Sequence, residues 1–277
     1  MVSRLRAIWG IAAFFIILPP AMLVQLTALA VSPSFAKTFP VWFHRQVLRL
    51  VSFKVQRRGR QSRVHPTLYV SNHVSYLDIE VLGALIKGSF VAKAEVRTWP
   101  IFGWLARLQR SVFVERRVQR TASARDDMAQ RLEDGDSLIL FAEGTSSDGN
   151  RVLPFKSALF AAAAIRPKGE DLVVQPVSIA YSHLDGMPMG RFLRPYFAWY
   201  GDMDMAGHIW DTFGLGRVTV TVEFHPPVTL AQFGSRKALA DHCHAAVQQG
   251  MTAALSGRRP AKEVTPPSPV PAEASQT

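Results

Sequence analysis

One histidine and one aspartate of this chain have the types and the spacing that general-base chemistry needs. His73 and Asp78 lie five positions apart in the run 72–78, Asn-His-Val-Ser-Tyr-Leu-Asp. A carboxylate that bonds one imidazole nitrogen fixes the ring tautomer and stabilises the imidazolium, so the other nitrogen can take a proton from a substrate hydroxyl. The alternative is that Ser75 or Asn72 only caps a helix and His73 is a surface histidine.

The elements on either side of this motif would present both side chains to a cleft. The apolar run 67–71 follows Pro66 and predicts a buried strand. The apolar residues after Asp78 recur at helical spacing and predict a helix with one buried face. His73 and Asp78 are therefore expected on a strand-to-helix turn.

A second polar stretch follows the apolar run 137–142, which predicts a strand buried on both faces. Glu143 is a charge at the end of that strand and needs a partner. Gly144 permits a backbone turn that other residues resist. Thr145 and Ser146 supply hydroxyl and N–H groups that can line an anion or acyl-carbonyl site.

Basic residues occur near the ends of other predicted elements. Arg116 follows the strand predicted for 111–115, at the edge where α/β sheets bind ligands; the alternative is an exposed charge pair with Arg117. Lys156 precedes an Ala-rich helix predicted for 157–165, where it could meet a substrate anion together with the helix amides.

The composition restricts the class of partner. Thirty-two Lys and Arg against 21 Asp and Glu give a net charge of +11, which suits a membrane surface, a phosphorylated substrate, an acidic carrier protein or nucleic acid. The single cysteine, Cys243, excludes an internal disulfide and a cysteine-based metal site. No histidine has a partner at recognisable metal-ligand spacing, so no metal and no cofactor are expected.

The N-terminal region favours the membrane over nucleic acid, because an apolar anchor has no use in a nucleic-acid-binding protein. Residues 8–31 contain no charge and are numerous enough to cross a bilayer core of about 30 Å. Pro19 and Pro20 lie at the midpoint, so we expect either a kinked span or two half-helices that enter and return. A cleaved signal peptide is the alternative.

Alternating strands and helices after this region predict an α/β fold with a mostly parallel central sheet flanked by helices, together with an N-terminal membrane-embedded helix or helical hairpin. We expect a membrane anchor over 1–36, a catalytic domain over 37–256 and a disordered Pro-rich tail over 257–277. Further predicted strands are 52–56, 90–92, 172–180 and 218–224, and further predicted helices are 41–51, 97–108, 122–133 and 238–255. Trp99, Phe102, Trp104 and Leu105 could line an acyl channel, but aromatic residues at helical spacing more often belong to the core, and we interpret them so.

Four blocks of the chain, in this order, resemble those of the glycerolipid acyltransferase family, which includes the bacterial 1-acylglycerol-3-phosphate acyltransferases. The blocks are Asn-His-x4-Asp at 72–78, Phe-Val-Glu-Arg at 113–116, Phe-Ala-Glu-Gly-Thr at 141–145 and Val-Gln-Pro-Val at 174–177. The resemblance covers roughly residues 40–230 and implies an acyltransferase in the bacterial inner membrane with its active site on the cytoplasmic side.

The resemblance also implies roles for individual residues. His73 would be the general base, oriented by Asp78, and an acceptor hydroxyl would attack the thioester of an acyl carrier protein or coenzyme A without an acyl-enzyme. The expected substrate-binding residues are Asn72, Ser75, Arg116, Glu143, Gly144, Thr145, Ser146 and Lys156.

The third block departs from the family pattern, which usually reads Phe-Pro-Glu-Gly-Thr-Arg-Ser. Ala142 replaces the proline and Ser146 replaces the arginine, and a serine cannot replace a guanidinium as a phosphate contact. The runs 143–156 and 186–191 resemble a bacterial subgroup that includes lyso-ornithine lipid acyltransferases. Because Arg151 could take over the phosphate contact, both acceptors stay open.

A catalytically silent lipid-binding or membrane-remodelling protein on the same fold is the alternative function. The presence of His73, Asp78 and Glu143 argues against it.

Overall fold

The computed structural model describes residues 2–114 and 121–258, and of residues 121–125 it describes the backbone alone. Arg116 and most of the predicted tail lie outside the described residues. The helices are α1 Arg4–Val31, α2 Pro33–Leu50, α3 Leu77–Gly83, α4 Phe102–Leu108, α5 Thr121–Glu133, α6 Met205–Gly214 and α7 Arg236–Ser256. The strands are β1 Phe53–Gly59, β2 Thr67–Ser71, β3 Ser89–Lys93, β4 Val112–Val114, β5 Leu138–Phe141, β6 Val173–Leu184, β7 Met187–Pro188, β8 Val218–Phe224 and β9 Val228–Thr229.

One sheet forms the centre of the domain, in the order β1-β8-β6-β2-β5-β3-β4. Every neighbouring pair along this path is parallel except β6 and β8, while β7 and β9 add short antiparallel pairings to β6. All five residues of β2 are buried, as expected for a strand covered on both faces. The predicted mostly parallel α/β sheet is confirmed.

Helices cover both faces of the sheet and create two apolar cores. Side chains of α5 and α7 pack on one face, with Leu132 and Leu239 fully buried. Side chains of α2 and α3 pack on the other, with Leu48 and Leu82 buried. Because β2 and β5 lie in the middle of the path, their carboxyl ends meet between the two layers, where the motifs at 72–78 and 141–146 begin.

The N-terminal helix α1 is continuous through Pro19 and Pro20, so the alternative of two half-helices that enter and return is wrong. Leu18 and Ala21, on either side of Pro19 and Pro20, are buried against the domain, and these contacts hold the helix together where two amide donors are missing. The chain turns after α1, at Ser32, and α2 then packs back against α1.

Both ends of α1 are bonded to the domain. The Ser3 amide donates to the Gly214 carbonyl of α6 (2.9 Å), and the Gln25 side-chain amide donates to the carbonyls of Leu108 (2.9 Å) and Ala36 (3.0 Å). One stripe of α1 is buried, while its other side exposes large apolar residues to the surroundings. These exposed residues are Leu5, Ile8, Trp9, Phe15, Ile16, Leu23, Val24, Leu26, Leu29 and Val31.

Three local predictions differ from the structure. The Ala-rich segment forms a 3-10 helix over Ser157–Ala164 in place of an α-helix. The helix predicted for 97–108 is divided at Pro100 into a 3-10 turn, Ala94–Thr98, and α4. Helix α6 was not predicted, although Asp204 marks its start by accepting a hydrogen bond from the Gly207 amide (2.6 Å).

Candidate active site

His73 and Asp78 are in contact on the turn between β2 and α3, as predicted. The Nδ1 of His73 lies 2.9 Å from Oδ2 of Asp78. The amides of Val74 (2.6 Å) and Ser75 (3.0 Å) donate to the same oxygen, and the Tyr181 hydroxyl donates to Oδ1 (2.8 Å). Asp78 is fully buried. These donors fix the carboxylate, and the carboxylate in turn fixes the imidazole.

The imidazole of His73 has one nitrogen available for chemistry. Its ring stacks on Phe141 at 4.0 Å between centroids and 17° between planes. The side chain is 21% exposed and borders the large cavity described below. Among the described residues, none forms a hydrogen bond with Nε2, and since the ring borders the cavity, this nitrogen is the one available to a substrate.

Glu143 holds the backbone beneath His73. Its Oε1 accepts from the His73 amide (2.8 Å) and its Oε2 accepts from the Leu153 amide (3.0 Å). Burial raises the pKa of Glu143 to about 8, against the two amide bonds that lower it, and the charge of Asp78 raises it further. The partner predicted for Glu143 is therefore a pair of backbone amides, which tie the β5 loop to the His73 turn.

Asn72 and Ser75 do not reach the cavity, so their predicted contact with a substrate finds no support here. The side-chain Nδ2 of Asn72 donates to the backbone carbonyl of Ile179 (3.0 Å), and its Oδ1 accepts from the backbone amide of Ile179 (2.8 Å). The Ser75 hydroxyl accepts from the Leu77 amide (3.4 Å). Both side chains are fully buried, and they organise the turn that carries His73.

Three of the predicted substrate-binding residues lie with His73 on the cavity. Gly144 has φ +67°, and a Cβ there would lie 3.0 Å from Nζ of Lys156, so glycine allows this close approach. Thr145 and Ser146 follow it on the cavity wall, and the Ser146 hydroxyl donates to the Trp199 carbonyl (2.5 Å). Lys156 itself is exposed beside Gly144.

The cavity is large and mostly apolar, about 420 Å³ in volume. Its wall is formed by α1, α2 and α4 together with the carboxyl ends of the central strands. Trp99, Phe102 and Leu105 belong to this wall, which favours the alternative of an acyl channel over their interpretation as core, whereas Trp104 is 59% exposed. Trp199 and Tyr200 also line the cavity, and no sequence pattern indicated them.

A second histidine on the cavity wall, His44, is buried and was not predicted from the sequence. The Nδ1 of His44 lies 2.7 Å from Oε2 of Glu80, and its Nε2 lies 2.7 Å from Oε1 of Gln109. Burial opposes a charge on this imidazole, but the Glu80 carboxylate and the two hydrogen bonds more than offset it, so the pKa of His44 is raised. The one sequence feature that could have indicated this pair is Glu80, a second carboxylate on α3 two residues after Asp78.

The family profile described as Acyltransferase matches residues 52–180. A lyso-ornithine lipid O-acyltransferase of Brucella abortus is 43% identical over 262 residues, which cover 93% of this chain and 98% of that protein. A lyso-ornithine lipid O-acyltransferase of Rhizobium meliloti is 40% identical over 241 residues, covering 86% of this chain and 82% of that protein.

A more distant sequence relative and a solved structure also match. A 1-acyl-sn-glycerol-3-phosphate acyltransferase of Neisseria gonorrhoeae is 30% identical over 186 residues, covering 66% of this chain and 69% of that protein. The crystal structure of the 1-acyl-sn-glycerophosphate acyltransferase of Thermotoga maritima matches with a TM-score of 0.66 at 23% identity, covering 92% of this chain and 95% of that one. By its sequence relatives this chain belongs to the glycerolipid acyltransferase family and is an acyltransferase.

Proposed function

We propose that this enzyme transfers a fatty acyl chain from a thioester donor to the hydroxyl of a lysolipid, with lyso-ornithine lipid as its acceptor. The observation that carries the proposal is the state of His73, whose Nδ1 is bonded to the buried Asp78 and whose Nε2 faces an apolar cavity. A base fixed in this way can act on a hydroxyl that the cavity positions.

The reaction needs one base and two bound substrates. Nε2 of His73 takes the proton of the acceptor hydroxyl while its oxygen attacks the thioester carbonyl. The tetrahedral intermediate collapses, the carbon–sulfur bond breaks, and the imidazolium returns the proton to the thiolate of the donor. The segment 144–146 lines the cavity beside His73, and its amides are our candidates for stabilising the oxyanion.

Charged residues at the cavity favour a zwitterionic acceptor over a phosphate. Lys93 and Glu95 lie at the carboxyl end of β3 and both border the cavity. A cation and an anion on the wall of one cavity suit the carboxylate and the ammonium group of an ornithine head group. Ser146 provides no cation and bonds Trp199, and Arg151 is not among the described residues that line the cavity.

The helical N-terminus supports a membrane-bound enzyme. By length and composition α1 could cross a bilayer, with a mean hydropathy of 2.2, and it is the one such helix in the parts of the chain described. Because both ends of α1 are bonded to the domain, we propose that it lies along the cytoplasmic surface of the inner membrane and inserts its exposed apolar side into one leaflet. Leu18, Met22 and Phe39 of α1 and α2 also line the cavity, so a lipid chain could enter it directly from that leaflet.

The net charge of the chain indicates the class of acyl donor. An acyl carrier protein is acidic, and the chain carries a net charge of +11, so electrostatic attraction would favour an acyl carrier protein or the phosphates of coenzyme A.

The test is acyl transfer by membranes that contain the protein, with lyso-ornithine lipid and 1-acylglycerol-3-phosphate offered in parallel and labelled acyl carrier protein or acyl-coenzyme A as donor. We expect product from lyso-ornithine lipid and none from membranes that contain His73→Ala. Product from the phosphate acceptor alone would contradict the assigned acceptor. No transfer to either would favour the non-catalytic lipid-binding alternative.

A single substitution tests the zwitterion argument. Glu95→Gln should lower kcat/KM for lyso-ornithine lipid about fivefold or more, since it removes the charge that we assign to the ammonium group. It should leave transfer to a neutral lysolipid acceptor unchanged. Glu170→Gln, an exposed carboxylate elsewhere, is the matched control. Equal losses on both acceptors would remove the role of Glu95 in selecting the head group.

A further inference from the structure

A second cavity lies at the edge of the sheet opposite His73. It measures about 390 Å³ and is lined by Gly88 and Ser89 at the start of β3 and by Asp136 and Ser137 just before β5. His73, by contrast, follows the carboxyl end of β2. The two cavities are neighbours, since Pro40 and Gln109 border both, but this one lies at the amino ends of β3 and β5, away from His73.

The second cavity has more positive than negative charge. Lys37, Lys87 and Arg110 line it, against the single carboxylate of Asp136. Asp136 is 6% exposed and pairs with Nζ of Lys37 (2.6 Å) and Nη2 of Arg110 (2.7 Å), while Arg131 approaches it at 3.7 Å. Three cations line the cavity, and Asp136 is the one carboxylate among the described residues that line it, so the cavity retains capacity for an added anion.

Two features of Arg131 and Arg110 indicate that positive charge is concentrated around Asp136. Burial and the nearby Arg110 both lower the pKa of Arg131, against the carboxylates around it, which raise it. Arg110 has φ +61° two residues after the end of α4, where glycine would avoid the steric cost. The fold therefore accepts backbone strain while presenting a guanidinium to this cavity.

The cavity borders the side of the protein that we place on the membrane. Lys37 lies on α2, and the same helix carries a ridge of Phe35, Phe39 and Trp42, whose neighbouring rings are 5.6 and 5.3 Å apart. Phe35 and Trp42 are each about half exposed. Aromatic side chains beside lysine and arginine are typical of the level of lipid head groups.

We propose that this cavity binds the phosphate group of an anionic phospholipid, as a second lipid site separate from the catalytic one. Lys37, Lys87 and Arg110 would donate charge-assisted hydrogen bonds to the phosphate oxygens, while the acyl chains lie against Phe35 and Trp42, the members of the ridge that are not among the described residues lining the catalytic cavity. The proposal rests on the membrane-bound part of the proposed function and is independent of the reaction at His73.

The experiment compares full-length proteins in a vesicle flotation assay, with phosphatidylcholine vesicles that contain or lack phosphatidylglycerol. The test variant is Lys37→Gln/Lys87→Gln, in which Asp136 keeps Arg110 and Arg131 as partners. The control is Lys54→Gln/Lys237→Gln, which removes the same charge from exposed positions on β1 and α7. We expect phosphatidylglycerol to strengthen binding of wild type and control, and this gain to fall about tenfold in the test variant alone.

Further measurements distinguish loss of the lipid site from unfolding of the protein and from loss of acyl-transfer activity. Lys87→Gln alone, at an exposed position outside the ion pairs of Asp136, should lower the gain about threefold with an unchanged thermal midpoint. Transfer to acceptor dispersed in detergent should remain at the wild-type rate in all variants, so its absence in wild type would count against the proposed function and not against this site.

Two results would overturn the proposal. An equal loss in the test and control variants would mean that the attraction is a property of the net charge. A thermal shift on adding inorganic phosphate, lost in Lys37→Gln/Lys87→Gln but without any dependence on phosphatidylglycerol, would assign the cavity to a soluble phosphate and remove the lipid.

Discussion

Two histidine–carboxylate pairs border the same cavity, and they differ in what happens at the second ring nitrogen. His73 pairs with Asp78 at 2.9 Å and His44 pairs with Glu80 at 2.7 Å, and both carboxylates belong to α3. Gln109 occupies the second nitrogen of His44, whereas Nε2 of His73 has no partner among the described residues. A histidine–carboxylate contact therefore does not by itself identify a base.

The two histidines also differ in how far they are exposed. The His44 side chain is 5% exposed and lies where Gly83 allows close approach of α2 and α3, since a Cβ at Gly83 would overlap its ring. The His73 side chain is 21% exposed and stacks flat on Phe141. We infer that His44 joins the N-terminal helices to α3, while His73 performs the chemistry.

Removing the base should have the largest effect. His73→Ala should lower acyl transfer about 10³-fold, because general-base catalysis contributes about 10² to 10⁴ and the cavity would still bind both substrates. The measurement is initial rate per folded protein in detergent, with the fold checked by thermal unfolding. Transfer at the wild-type rate would exclude His73 as the base.

Removing the carboxylate that orients His73 should have the second-largest effect on the rate. Asp78→Asn should lower transfer about 10²-fold or more, because an amide can donate to the imidazole and favour the wrong tautomer. The amides of Val74 and Ser75 would also lose an anionic acceptor, so the thermal midpoint should fall. A Glu80→Gln protein is the matched control on the same helix, and a similar loss of rate there would erase the distinction between the two pairs.

A smaller effect is expected at Tyr181, which supports Asp78 from β6. Burial, and then the charge of Asp78, raise the pKa of Tyr181, so its hydroxyl remains a donor to Oδ1. Tyr181→Phe removes that bond, and we expect a loss of a few-fold in kcat with KM unchanged. Tyr69→Phe, on the neighbouring strand and away from Asp78, should leave kcat unaltered.

The smallest effect on rate, with a clear effect on stability, is expected at His44. His44→Gln should change kcat by less than about threefold, yet cost about 2–4 kcal/mol of stability, since Glu80 would lose its charged partner in a mostly buried position. The readouts are initial rate and thermal midpoint on one preparation. A loss of rate as large as that of His73→Ala would mean that His44 takes part in catalysis.

The same pair gives a pH dependence with a defined sign. The pKa of His44 in the folded chain is above its ordinary value of about 6.5, so the stabilisation is complete below that pH and is lost as pH rises through the folded pKa. Glu143, with its pKa raised to about 8, acts in the same direction, because stability falls as pH rises from its ordinary value of 4.5. The thermal midpoint should therefore fall with rising pH in wild type, and fall less in His44→Gln, which keeps Glu143.

The sequence contained the local parts of the site. The spacing of His73 and Asp78 predicted their contact because five residues on one turn leave few alternatives, and the charge of Glu143 after an apolar strand predicted a buried partner. The parallel sheet was predictable because β2 and β5 are continuous apolar runs. Such strands can be buried only in a sheet that has helices on both faces.

The parts that sequence could not supply depend on contacts between distant segments. The partners of His44 come from α3 and from the end of α4, 36 and 65 positions away. The continuity of α1 through Pro19 and Pro20 depends on packing against the domain, which no local propensity describes. Trp199 borders the cavity because its carbonyl and ring are held by Ser146 and Tyr76, from two other loops.

Chemical rescue would test the central claim most directly. Imidazole added to His73→Ala should restore acyl transfer with saturation, because the deleted ring leaves space beside Phe141 at a cavity wall, and the restored rate should rise with the basicity of substituted imidazoles. Imidazole should not accelerate His44→Gln. A His73→Ala enzyme that transfers acyl groups at the wild-type rate without imidazole would contradict the assignment of His73 as the base.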